Sequence, residues 1–278
     1  MTTVYPCAKI NLGLNIVSKR TDGYHDLETV FYPIPLCDKL EIEASGDDAQ
    51  EQPCALSVNG IPIEGGTASN LVVKAYMLLK QKFPTLPNIR AKLTKNIPSQ
   101  AGMGGGSSDC AYTITTLNRM FGLGMQEAEM QSLAAKLGAD CAFFVNPSPA
   151  YATGIGDRLT PINLNLDKYA FAIVKPQIQI STKEAFADIV PTRPATCCKD
   201  IMARPVETWR NTLTNDFERN IAKRHPEIAG IKDKLYKLGA VYAAMSGSGS
   251  ALFGIFEQKP SSLDSEFPGC FTATLPNT

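Results

Sequence analysis

Residues Pro98-Ser99-Gln100-Ala101-Gly102-Met103-Gly104-Gly105-Gly106-Ser107-Ser108-Asp109 place four glycines in five positions ahead of two serines and an aspartate. They run straight into an apolar-periodic segment, Cys110 to Phe121. Glycine lets the backbone take positive φ and come close to a ligand. A helix that starts directly behind such a loop offers unpaired N–H groups and the positive end of its dipole. The combination is an anion cradle suited to nucleotide phosphates. No Gly-Lys-Ser/Thr closes the loop and its spacing does not fit G-x-G-x-x-G, so it is neither a Walker A motif nor a dinucleotide fingerprint. A flexible glycine turn ahead of a helix is the plainer alternative. The Ser-Ser-Asp and the strand before the loop favour the cradle.

Three further pieces lie far from it in sequence. Lys9, in Cys7-Ala8-Lys9-Ile10-Asn11-Leu12, is a cation inside a mostly apolar strand. Asp140, in Gly138-Ala139-Asp140-Cys141-Ala142-Phe143-Phe144, is a carboxylate at the mouth of an apolar run, and Ser246-Gly247-Ser248-Gly249-Ser250 is a second loop of small residues. Taken singly, Lys9 reads as a lysine snorkelling from a strand edge, Asp140 as a cap and the second loop as an ordinary turn. Together with the cradle they supply what phosphoryl transfer needs: a phosphate site, a carboxylate base and a nearby cation.

The elements that must hold these groups read as mixed α and β. Val4 to Val17 is strand-like, Asp38 to Ala44 alternates through Leu40 and Ile42, and Ile89 to Ile97 alternates through Ala91 and Leu93 into the glycine loop. Asn70 to Phe83 reads as a helix capped by Ser69 or Asn70, with Leu71, Ala75, Leu78 and Leu79 on one face. Gln126 to Leu137 is a second helix, stopped by Gly138. Beyond about residue 155 come a strand at Tyr169 to Val174, a short helix at Thr182 to Ile189 and an irregular stretch from Val190 to Pro205. Helices at Asp216 to Arg224 and Pro226 to Leu238 follow, then strands at Val241 to Met245, Ala251 to Phe256 and Cys270 to Leu275. The change of texture places the junction of two lobes near residues 155–165.

Composition narrows the setting. Lysine plus arginine and aspartate plus glutamate balance at 27 each, so no long-range field draws nucleic acid or an anionic membrane. No apolar run approaches the roughly 18 residues needed to span a bilayer, and Met1 to Leu12 lacks the basic start and apolar core of a signal peptide. The eight cysteines form no C-x-x-C pair, and with two histidines a zinc site is not expected. A cytoplasmic protein with reduced thiols is the expectation.

On the residues quoted, the chain resembles the superfamily of galactokinase, homoserine kinase, mevalonate kinase and phosphomevalonate kinase (the GHMP kinases). Its motifs are an N-terminal strand with a lysine, a P-x-x-x-G-x-G-S-S-type loop and a C-terminal Gly/Ser loop. Within it, Ala8-Lys9-Ile10-Asn11-Leu12, Asp22-Gly23-Tyr24-His25 and Gly138-Ala139-Asp140 are most similar to one branch. That branch phosphorylates the 2-hydroxyl of 4-diphosphocytidyl-2-C-methyl-D-erythritol, on the non-mevalonate route to isoprenoid precursors. Asp22-Gly23 also reads as a type I or II turn. The resemblance implies an α+β, two-lobed fold with the active site in the cleft between the lobes: a ribosomal-S5-like N-terminal lobe over 1–158 and a ferredoxin-like C-terminal lobe over 159–278. It implies ATP with Mg²⁺, a small-molecule substrate carrying a cytidine diphosphate group, no nucleic-acid or membrane partner, and a monomer or weak homodimer.

The resemblance also implies roles. Asp140 is the catalytic base and Lys9 the cation beside it. Pro98 and Gly102, Met103, Gly104, Gly105, Gly106, Ser107 and Ser108 hold the phosphates, with Ser107 or Ser108 able to lend a hydroxyl to phosphate or Mg²⁺. Asn70, Leu71 and Lys95 fall on the adenine side, Leu71 reading equally well as helix core. His25 reads the cytosine edge, and Tyr24 and Phe186 sandwich the base, Phe186 as helix core being the competing reading. Asn11 and Thr182 bond the methylerythritol end, and the loop with Gly247 and Ser248 closes over the junction. Gln100, Met103 and Asp109 depart from the usual loop. Asp109 puts a negative charge near phosphate unless it caps the helix or reaches Mg²⁺, so the metal ligands stay unassigned.

Overall fold

In a computed structural model, which describes residues 1–45 and 52–276, the strands are β1 (Thr2–Val4), β2 (Cys7–Lys19), β3 (His25–Cys37), β4 (Lys39–Ala44), β5 (Cys54–Gly60), β6 (Ile89–Lys95), β7 (Ala150–Thr153), β8 (Arg158–Pro161), β9 (Ala170–Lys175), β10 (Tyr242–Met245), β11 (Leu252–Phe256) and β12 (Phe271–Leu275). The α-helices are α1 (Leu71–Lys82), α2 (Gly105–Met120), α3 (Glu127–Ala135), α4 (Thr182–Phe186), α5 (Cys198–Met202), α6 (Asp216–Arg224), α7 (Pro226–Lys237) and α8 (Leu263–Glu266), with 3₁₀ turns at Thr67–Ser69, Ala139–Val145 and Val206–Asn211. Two compact units result. One takes Met1–Ala8, Pro35–Ser99 and Gly104–Pro147; the other takes Lys9–Ile34, Gln100–Met103 and Ser148–Thr278. Neither is one continuous stretch, because β3 pairs with β7 far along the chain. Residues 155–165 fall inside the second unit.

The first unit is built on a sheet of order β1-β4-β6-β5, antiparallel except where β5 runs parallel to β6. Alternation sets its buried face: Ile89, Ala91, Leu93 and Lys95 of β6 point inward while Arg90 and Lys92 are exposed. Against that face pack Val72, Ala75, Tyr76 and Leu79 of α1, with Cys110, Ile114 and Leu117 of α2. The buried stripe of α1 is thus Val72/Ala75/Tyr76/Leu79, and the expected Leu71 and Leu78 are only half-buried at its margin. Both sets satisfy the 3.6-residue period, and Tyr76 decides between them because it has the most apolar area to hide.

The second unit contains the sheets β2-β3-β7-β8 and β10-β11-β9-β12. The latter is antiparallel throughout, and its strands β9, β10 and β11 are buried on both faces, which is why they read as continuous apolar runs, while the edge strand β12 is half-buried. One face packs on Phe217 and Ile221 of α6 and Ile228, Ile231 and Leu235 of α7. On the other, Trp209 meets Tyr242 edge-on at 5.8 Å. The expected strand from Val4 to Val17 is two strands, interrupted before Cys7 at Pro6, which has no N–H to donate. His225, unassigned from sequence, sits 2.9 Å from Glu184 across α4 and the start of α7.

Candidate active site

In the first unit, Gly104 takes a left-handed conformation (φ 70°) immediately before α2, and no side chain caps that helix. Its first-turn N–H groups therefore point outward from Gly105, Gly106 and Ser107. A Cβ at Gly105 would lie 3.0 Å from Ile97 and 3.4 Å from the Lys95 ammonium, so glycine lets α2 start against the end of β6. Ser108 is buried, and its hydroxyl has no partner; Ser107, half-buried, is the serine at the mouth.

Lys95, expected on the adenine side, is turned into the core. The inward register of β6 buries it to 4 % exposure, with its ammonium against Asp38 and, at 2.7 Å, Asp109. Asp38 in turn accepts the backbone N–H groups of Asn96 (2.6 Å) and Ile97 (2.8 Å), which fixes the chain entering the loop. Asp109 is neither a cap nor turned toward phosphate: it is 3 % exposed and one of its oxygens is unpartnered. Burial pushes its carboxyl up to about 7 against the pull of Lys95. Two carboxylates facing one ammonium leave a negative charge over in a place nearly closed to water, and a proton on Asp109 removes it. Among the described residues no three His, Cys, Asp or Glu side chains gather as metal ligands. An Mg²⁺ ion carried by ATP would draw most of its ligands from phosphate and water.

Asp140 opens the 3₁₀ turn and is half-buried, while Cys141, Ala142, Phe143 and Phe144 behind it are buried. Four buried side chains anchor the turn that carries one carboxylate. Asn70 caps α1 by accepting from Val72 N–H at 2.9 Å. It also lines a cavity of about 370 Å³ formed with the chain from Val58 to Ile63 and Gly65 to Thr67. Nothing in the sequence pattern marked that segment; its glycines were the available signal. Leu71 packs on the α1–α2 core.

In the second unit, Lys9 is 3 % exposed. Its ammonium donates to Asn11 Oδ1 (2.6 Å) and to the carbonyl of Gly102 (2.8 Å), and lies 5.1 Å from the centre of the Phe31 ring. It is a held cation and not a snorkelling one. Asn11 donates onward to Thr29 Oγ1 at 2.9 Å, so its amide, expected at the methylerythritol end, is engaged in orienting Lys9. Ser246 Oγ donates to the same Gly102 carbonyl at 2.9 Å, and the N–H groups of Ser250 and Ala251 reach the carbonyls of Gln100 and Ala101, each at 3.3 Å. The Lys9 N–H donates to Met103 at 3.0 Å. Gly247 and Ser248 sit in the loop that makes these contacts, and Asn215 holds it by donating to the carbonyls of Met245 and Gly247 at 2.8 Å. The two small-residue loops, Gln100–Met103 and Ser246–Ser250, are thus hydrogen-bonded to one another beside Lys9.

The turn at Asp22-Gly23 forms as expected: Arg20 N–H donates to Tyr24 at 2.8 Å, Asp22 accepts from Tyr24 N–H at 3.1 Å, and Gly23 has φ 88°. His25, the first residue of β3, stacks on Phe186 at 4.8 Å, and Phe186 meets Phe217 edge-on at 4.8 Å. Tyr24 remains in the turn, 61 % exposed. The His25 ring thus lies against α4, while Tyr24, expected with Phe186 on either side of a base, stays exposed in the turn. Thr182 is exposed at the start of α4, the helix that carries Phe186.

The family model described as the GHMP kinases N terminal domain matches residues 70–147, and that described as GHMP kinases C terminal matches residues 199–265. The 4-diphosphocytidyl-2-C-methyl-D-erythritol kinase of Bacteroides fragilis is 49 % identical over 273 residues, 98 % of each chain. That of Porphyromonas gingivalis is 46 % identical over 270 residues, 96 % of this chain and 97 % of the relative. A crystal structure of 4-(cytidine 5'-diphospho)-2C-methyl-D-erythritol kinase superposes with a TM-score of 0.82 at 27 % identity over 99 % of both chains. A mevalonate kinase at 14 % identity, TM-score 0.65, covering 99 % of this chain and 98 % of its own, shares the fold.

Two outcomes test this geometry. A Cβ on Gly102, at φ 70°, would lie 1.9 Å from the Ser246 carbonyl oxygen. Gly102→Ala is expected to cost about 3 kcal/mol or more, seen as a fall in Tm of about 5–10 °C; a Tm within about 1 °C of the parent would refute the loop packing. Asp109 binds its proton more tightly folded than unfolded. Its contribution to stability is therefore full below the unfolded value, ~3.9, and is lost as pH rises toward about 7. Urea midpoints should fall with rising pH across that window more steeply in the parent than in Asp109→Asn, and parallel curves would show that Asp109 is not the group responsible.

Proposed function

Because the chain belongs to the GHMP kinases, and within them to the 4-diphosphocytidyl-2-C-methyl-D-erythritol kinases, we infer that it phosphorylates the 2-hydroxyl of 4-diphosphocytidyl-2-C-methyl-D-erythritol with ATP. The products are the 2-phosphate and ADP, a step on the non-mevalonate route to isoprenoid precursors. The observation that carries this is 49 % identity over 98 % of the chain to a kinase of that name. The enzyme works in the cytoplasm with ATP and Mg²⁺, as a monomer or weak homodimer.

In the reaction, an oxygen–phosphorus bond forms between the 2-hydroxyl and the γ-phosphorus while the bond to the β–γ bridging oxygen breaks, and ADP departs with that electron pair. The hydroxyl proton passes to Asp140, which needs only to accept it as the bond forms. Lys9 supplies positive charge for the reacting oxygens. Being held by Asn11 and the Gly102 carbonyl, its ammonium needs no reorganisation when charge develops. The outward N–H groups at the start of α2 receive phosphate oxygens, and the helix dipole adds to the attraction. The cavity beside Asn70 is of a size to take adenine. His25 and Phe186 read the cytosine, with the exposed Tyr24 covering its other face, and Thr182 reaches the methylerythritol end. Lys95 and Asp109 brace the loop from below and touch no substrate.

ADP release with ATP and Mg²⁺ is expected with the cytidylyl methylerythritol and not with mevalonate or homoserine; turnover of either of the latter alone would refute the base pocket, and no turnover of any would refute the kinase reading. Asp140→Asn should lower kcat by about 10²–10⁴ with KM little changed. His25→Ala should instead raise KM for the cytidylyl substrate by about tenfold or more, and an unchanged KM would remove His25 from recognition.

A further inference from the structure

The second unit carries a cavity of about 830 Å³, lined by the segment that follows α4, the turn ahead of α6 and α6 itself. That is the size of a small-molecule site, and none of the residues given a role in the reaction lines it.

Its acids are committed to the fold. Asp188 is paired with Arg224. Glu218 is paired with Lys232 and accepts Met245 N–H at 2.7 Å. Asp216 accepts Ile16 N–H at 2.7 Å and the Asn15 amide at 3.3 Å. The cations are not committed in the same way, apart from Lys232. Arg219 and Lys223 are exposed, stand four residues apart on one face of α6, and have no acidic partner among the described residues. Arg210 lies over the Tyr236 ring at 4.1 Å and has no carboxylate partner among the described residues. The same cavity is lined by Ile189, Pro194 and Val190, the last 83 % exposed. One cavity is thus lined by cations without an acidic partner and by an apolar shelf, which suits a ligand with an anionic head and an apolar body.

We infer that this cavity binds a small organic phosphate or diphosphate, its anionic head on Arg210, Arg219 and Lys223 and a short apolar group on the Val190–Pro194 shelf. Asn215 lines the same cavity and holds the loop at Gly247.

The test is isothermal titration of the full chain with inorganic pyrophosphate and with n-butyl diphosphate, with saturating ADP present throughout to fill the nucleotide site. Saturable binding of n-butyl diphosphate is expected, tighter than pyrophosphate and weakened about tenfold or more in Arg219→Gln/Lys223→Gln. That variant should keep kcat and KM of the kinase reaction within about twofold of the parent, which separates this site from the catalytic one. No saturable binding, equal affinity in parent and variant, or pyrophosphate binding as tightly as the alkyl ester would each overturn the assignment.

Discussion

A cation held almost entirely out of water organises the second unit. Taking an ammonium out of solvent costs several kcal/mol unless acceptors replace its hydration shell. Lys9 finds them in a side-chain amide two residues along its own strand and in the backbone carbonyl of Gly102, with the face of Phe31 beside it. The carbonyl is the demanding partner. It reaches Lys9 while also accepting from Ser246, so the loop must lie directly on the segment at Ser246. A side chain at 102 has no room there. Glycine at that position follows from the close approach of the Ser246 backbone and from its left-handed φ of 70°.

The first unit solves a related problem with the opposite sign. Lys95 is also buried, but it faces two carboxylates, so charge is in excess on the acid side and Asp109 is driven toward its protonated form. The gain is positional. Asp38 pins the backbone just before the glycine loop and Asp109 pins the first turn after it. Both ends of a segment rich in glycine are therefore tied to one ammonium. A loop with four glycines in five positions has much conformational entropy to lose when it orders, around the proposed phosphate included; fixing its ends beforehand lowers that loss.

Much of this is written in residue type and spacing, and the rest is hidden for identifiable reasons. The glycine loop, Lys9 and Asp140 announce themselves because each breaks an apolar context. Lys95 was expected on the adenine side, although it shares the parity of Ile89, Ala91 and Leu93, and strand alternation puts it on the buried face. β3 was not legible, since Pro33 and Pro35 interrupt a segment that folds as a strand nonetheless. The cavity beside Asn70 escaped because backbone, not distinctive side chains, forms most of its wall. The stacking of His25 on Phe186 could not be read at all: it joins residues 161 positions apart, and sequence gives no register between a strand end and a five-residue helix.

Chemistry and recognition rest on supports of different stiffness. Lys9 and the Gly102 carbonyl sit inside a hydrogen-bonded block of backbone, and Asp140 rides on four buried side chains. Small displacements there meet dense packing. His25, by contrast, opens a strand after an exposed turn, and Phe186 ends a helix of five residues. A stiff reacting centre stabilises a transition state only if its groups are already aligned. A reading surface can tolerate movement, because stacking on an aromatic ring varies slowly with lateral shift, and an exposed Tyr24 can settle onto a base after it arrives. On the roles proposed above, changes at the aromatic residues act mainly on substrate affinity, whereas a change that moves Lys9 or Asp140 acts on the rate of the bond-forming step. The division follows from where the glycines and buried charges lie, before any ligand is considered.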